Sequence, residues 1–116
     1  MSLYYDPERV SSLISSLRGA LRLLRDLATL PKQDFMQDMH RQSSAKYNLI
    51  TAIEAIVDIS NHLISRNGWR APESYADTFD VLVENGALSQ DHLDDFKAMA
   101  RFRNRLVHLY WDVDLP

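Results

Sequence analysis

At 116 residues the chain is long enough for one domain with a real core and too short for two, and small enough to favour a partner. Hydrophobic residues make up 46% and charged residues 25%, an ordinary soluble globular balance. The net charge of −3 argues against a general nucleic-acid coat, though not against a local basic cleft, and the lack of cysteine excludes disulfides and thiolate metal sites. No run approaches ~18 apolar residues, and MSLYYDPERV holds no apolar segment of signal-peptide length. The expectation is a cytoplasmic protein with no membrane partner, and nothing in the chain points to DNA.

The first helix is predicted to open at Asp6 with Pro7 in its first turn, a favoured N-cap pairing. Val10, Leu13, Ile14, Leu17, Leu21, Leu24 and Ala28 then recur at helical spacing until Leu30-Pro31. Its other face carries Arg18, Arg22 and Arg25, which read as a solvated face or, alternatively, as a stripe that tracks RNA. A second, long helix is expected from about Asp34 to Arg66, closed by Asn67-Gly68. Its first half, DFMQDMHRQSS, is polar enough to fray or bend. The second half has a wide apolar arc, Leu49 to Ile64, bordered by Tyr47, Glu54, Asp58, Asn61 and Ser65. After the loop GWRAPES, Ser74 should cap a short helix that stops at Asn85-Gly86, and Ser89 should cap the last one. Asp91, Asp94 and Asp95 suit the positive end of that final helix. The tail WDVDLP carries no helical period. With no strand alternation and no repeat, the fold class is all-α, an antiparallel bundle of four or five helices.

One residue breaks the pattern. In DHLDDFKAMARFRNRLVHL the apolar positions fill one arc, and Arg101, Asn104, Arg105 and His108 lie opposite. Arg103 instead sits inside the arc, with Phe96, Met99, Ala100, Leu106, Val107 and Tyr110 as its helical neighbours. A charge there must be desolvated, paired or open to a cleft, because an unpaired buried charge costs several kcal/mol. Glu54 and Asp58 are the candidate carboxylate partners and Asn61 the neutral one.

His108 is the only histidine beside a cluster of arginines, and an imidazole can exchange a proton near neutral pH. Asn104, four residues earlier on the same face, is placed to hydrogen-bond its ring. Arg103 and His108 lie about 140° apart on an ideal helix. They converge only where the helix end distorts, the arginine bends round, or a second subunit contributes, which suggests a composite site at a dimer seam. Arginine plus histidine without a carboxylate-rich cage suits phosphate chemistry that needs no metal, and no cofactor motif is present. RNA can supply its own 2′-hydroxyl nucleophile, leaving the protein to move protons and stabilise negative charge. On spacing alone His108 and Tyr110 could equally be packing and capping residues. His40, His62 and His92 build no rival site, and His62 reads as a surface residue.

FRNRLVHLYW resembles the motif of HEPN-domain proteins, specifically the HepT-like toxins of the HepT–MNT toxin–antitoxin systems. AIEAIVDISNHLISRNGWRAPESYADTFDVLVENGAL is similar to the central part of that family, including its Asp-x-x-Asn-His step and Pro-x-Ser-Tyr loop. Together they cover most of residues 45–114. The resemblance implies a homodimeric, metal-independent ribonuclease acting on RNA, with tRNA a candidate substrate, and a minimal nucleotidyltransferase antitoxin as partner. Arg103 would engage the phosphate, His108 would be the acid or base, and Asn104 would order the motif. Arg101 and Arg105 flank it as RNA-binding candidates. Tyr110 matches the tyrosine that the antitoxin modifies with AMP, which would set a bulky anion beside the arginines. Residues 1–116 are expected to form a single HEPN-like helical domain; family members usually continue past the motif into a further helical segment, whereas this sequence stops at Pro116. The other class of reading is a non-catalytic helical adaptor that binds, and is modified by, a nucleotidyltransferase.

Overall fold

Asp6 opens α1 (Pro7–Ala28) in the expected way, its carboxylate accepting from the Glu8 and Arg9 amides at 3.0 and 3.4 Å. The structure, a computed structural model, describes residues 2–113, with side chains for 2–108. After Pro31 the chain does not make one long helix. A five-residue α2 (Lys32–Met36) ends at Gln37, and α3 (Met39–Arg66) starts afresh. The break has a local cause. The Asp38 carboxylate accepts from the His40 and Arg41 amides, and Gln42 Nε2 donates back to the carbonyls of Phe35 and Met36. Both sets of orphan groups are thus satisfied by side chains, so two helix ends are stable where periodicity suggested one helix.

Past Asn67 and Gly68, which has φ +66, the loop leads to α4 (Tyr75–Glu84), capped by Ser74. A 3₁₀ turn at Gln90–His92, capped by Ser89, then feeds α5 (Leu93–Val113). The α5 helix continues through Trp111, beyond the point at which apolar spacing gave out. Every regular element among the described residues is helical.

Helix α1 lies antiparallel along α3, and α4 and α5 form a second antiparallel pair on the later half of α3. The core sits where these three meet. Phe79, Val81 and Ala100 are fully buried and Val57 nearly so, with the Phe79 and Phe96 rings 5.2 Å apart. In contrast, most apolar residues of α1 are only half covered. Leu17 and Leu21 of α1, Ile56 of α3, and Met99 and Phe102 of α5 line an open apolar groove. Phe102, expected in the buried arc, is 38% exposed on its rim.

The chain ahead of α1 is fastened to the far end of α3. Asn67 accepts from the Tyr4 amide and donates to the Tyr4 carbonyl, both at 2.9 Å, and His62 Nε2 accepts from the Asp6 amide at 2.9 Å. His62 is therefore half-buried and bonded rather than a free surface residue.

Candidate active site

The antiparallel register of α5 on α3 brings residue 103 beside residue 54. Arg103 Nη2 donates to Glu54 Oε1, and the arginine side chain is only 19% exposed against 41% for the glutamate. The anomaly in the apolar stripe is thus resolved by pairing. Of the two candidate carboxylates the structure selects Glu54. Asp58, one turn further along α3, is solvent-exposed, and Asn61 is half-buried beyond it. Neither of them bonds to Arg103 among the described residues.

Two other groups hold the guanidinium. Its Cζ lies 4.7 Å from the centre of the Tyr75 ring, a cation–π distance. Its Nη1 donates to Asn104 Oδ1 at 3.3 Å. Asn104 is therefore engaged with the arginine rather than with the imidazole. The Nε of Arg103 is buried and has no partner among the described residues.

Arg101, Asn104, Arg105 and His108 are all exposed, as their side of the wheel requires. Arg105 leans over the Phe102 ring, 5.9 Å from its centre. Because α5 runs unbroken through Arg103 and His108, the angle of about 140° between them stands. Within one chain Arg103 faces α3 and α4, while His108 faces solvent. The backbone of Tyr110 belongs to α5, but its side chain lies outside the described residues. Among the described residues no three histidine, aspartate or glutamate side chains gather where they could hold a metal ion.

Tyr75 is the residue that sequence reasoning passed over. It stands at helical spacing from Phe79 and Leu82 on α4 and packs with them against the core. Only the meeting of α4 with α5 shows that its ring also carries Arg103. The signal available was its place at the first turn of α4, directly after the capping serine.

Known proteins of similar sequence and fold bear on the family of this chain. The family model described as "Ribonuclease HepT-like" matches residues 17–116. The chain is 36% identical over 81 residues to the mRNA nuclease HepT of Shewanella oneidensis, a span of 70% of this chain and 61% of that protein. It therefore spans less than two thirds of that relative's length. A toxin–antitoxin crystal structure with AMP-PNP superposes with a TM-score of 0.81 at 29% identity, over 87% of this chain and 76% of the other. A tri-AMPylated HEPN toxin from Shewanella oneidensis, in complex with an MNT antitoxin, superposes with a TM-score of 0.76 at 26% identity, over 87% and 84%. A helical bundle that buries one motif arginine against a carboxylate and an aromatic ring, and matches the family model along most of its length, belongs to the HepT-like ribonuclease family.

Proposed function

We propose that this protein is a metal-independent endoribonuclease and the toxin of a toxin–antitoxin pair. The observation that carries the reading is Arg103, an obligate cation kept at the edge of the core, one and a half turns before an exposed histidine on the same helix. An arginine there is oriented by its neighbours before substrate arrives, so it can meet the charge that develops on a phosphorane without further reorganisation. His108 accepts the proton of the RNA 2′-hydroxyl or delivers one to the departing 5′-oxygen. The 2′-oxygen bonds to phosphorus, the P–O5′ bond breaks, and a cyclic phosphate and a 5′-hydroxyl result. Arg101 and Arg105 bind flanking phosphates. Glu54 and Asn104 orient Arg103, and Asp58 and Asn61 line the same strip of α3.

The angle between Arg103 and His108 on a straight helix favours a composite site completed by a second copy. The open groove between α1, α3 and α5 offers that copy an apolar face. The antitoxin is a minimal nucleotidyltransferase. It neutralises the site by AMP addition: the Tyr110 phenolate attacks the α-phosphorus of ATP, pyrophosphate leaves, and the new anion competes for the arginines. The relatives whose structures contain an antitoxin or carry AMP support this partner.

The test is a cleavage assay in excess chelator on total tRNA and on single-stranded RNA, comparing wild type with His108→Ala and Tyr110→Phe. Chelator-resistant cleavage that is lost in His108→Ala and kept in Tyr110→Phe is expected. Cleavage that survives both His108→Ala and Arg103→Ala would sink the proposal. Absence of cleavage by unmodified protein would favour the adaptor, which presents Tyr110 without chemistry of its own.

A further inference from the structure

The geometry points to Tyr75 as a positioning residue for Arg103, acting through the face of its ring. This rests on the ribonuclease reading of the Arg103 site and names a further residue that the site requires. A guanidinium has five N–H donors, yet Arg103 is poorly fixed by hydrogen bonds among the described residues. Nη2 meets Glu54, Nη1 has a long bond of 3.3 Å to Asn104 at the exposed surface, and Nε has none. One strong bond at one corner leaves the plane free to swivel. The Tyr75 ring, 4.7 Å away, removes that freedom because a guanidinium prefers to lie over the π face.

An aromatic ring does this in a way a second carboxylate could not. Glu54 already balances the charge of Arg103, and a second acid would make the cradle net negative and repel the phosphate it must receive. A ring holds the cation through its quadrupole and adds no charge. The exposed Nη1 corner beside Asn104 is then kept aimed outward for an incoming phosphate oxygen.

The platform is itself anchored. Ser74 Oγ accepts from the Asp77 amide at 3.0 Å, and Asp77 Oδ2 accepts from the Glu73 amide at 2.9 Å. Arg70 then bridges Asp77, through two bonds of 2.7 and 2.8 Å, to Glu84 at the other end of α4. Tyr75 sits on the first turn that these bonds tie down, with its inner edge against the core. Such fastening is what a residue needs if it is to aim another.

Replacing Tyr75 by Phe, by Leu and by 3,4,5-trifluorophenylalanine, which keeps the shape of the ring but weakens its π face, tests this. Thermal melts check that each variant folds, and two readouts follow. In RNA cleavage, Tyr75→Phe should stay within about twofold of wild type, and the fluorinated and Leu variants should each lose about tenfold in kcat with KM little changed. In proton–nitrogen spectra, the ring-shifted Arg103 side-chain signals should persist in Tyr75→Phe and move in Tyr75→Leu. Trifluorophenylalanine as active as Phe would overturn the role of the π face, and Arg103 signals indifferent to Tyr75→Leu would overturn the contact. If wild type cleaves no RNA while the Arg103 signals behave as expected, the ribonuclease reading fails and the ring's catalytic role falls with it.

Discussion

Replacing Glu54 by alanine strands Arg103, whereas replacing Arg103 by leucine frees Glu54 to be hydrated, so the two halves of one ion pair should not cost the same. The Arg103 side chain is 19% exposed and that of Glu54 41%. A hydrogen bond to a charged group contributes about 1.5–3 kcal/mol, and the water that reaches Glu54 reduces this to about 1–2 kcal/mol. Glu54→Ala should therefore lose about 1–2 kcal/mol, because Arg103, with less of its side chain in water than Glu54, is the harder partner to rehydrate. In Arg103→Leu the cation–π contact is lost, worth about 0.5–1 kcal/mol, but an unpartnered buried Nε is removed, worth about the same. A leucine also suits the apolar stripe. That variant should fall within about 0.5 kcal/mol of wild type. Urea unfolding followed by helical circular dichroism, at one fixed protein concentration, measures both. Arg103→Leu proving the more costly of the two would refute the argument from exposure. Both substitutions should abolish RNA cleavage, which separates what the pair does for stability from what it does for function.

Other consequences follow from the same contacts. The Asp77 carboxyl is held well below the usual carboxylate range, first by Arg70 and then by the Glu73 amide, and Glu84 is lowered chiefly by Arg70. Both folded values lie below the unfolded ones, so this contribution is present above about pH 4 and disappears as pH falls further. The gap in melting temperature between wild type and Arg70→Ala should hold from pH 7 to 5 and close towards pH 2; a gap that stays constant contradicts it. Phe79→Ala, at a residue with no exposure, should cost about 3–5 kcal/mol in the same urea assay. Ser74→Ala removes the cap of α4 and should cost about 1 kcal/mol, with slower cleavage if α4 supports Tyr75.

Helix ends were legible in this sequence wherever a capping residue met a change in apolar pattern. Asp6-Pro7, Ser74 and Asn85-Gly86 all fall at real boundaries. Asp38 did not announce itself, because a capping aspartate inside an already polar stretch looks like one more solvated residue. The abnormality of Arg103 was legible from the wheel alone. The choice between Glu54 and Asp58 was not, since it depends on how far α5 slides along α3, and that register is set by buried contacts such as Val57 and Ala100. The hold of Tyr75 on Arg103 and the bond of His62 to the Asp6 amide were not legible for a related reason. Each does its work across a long sequence separation, to residue 103 and residue 6, where local spacing carries no information.

The bonds that join Tyr4 and Asp6 to Asn67 and His62 also fix where the start of the chain leaves the body of the molecule. It emerges at the corner where α3 turns towards α4. Residue 54, beside the candidate site, lies thirteen residues back along α3, roughly 20 Å at the rise of a helix. A fluorophore or affinity handle joined ahead of Ser2 therefore departs from the C-terminal end of α3, roughly 20 Å along that helix from the Arg103–Glu54 pair. One joined after Val113 begins within two turns of the motif. For surface immobilisation or binding measurements, attachment ahead of Ser2 and attachment after Val113 are not equivalent.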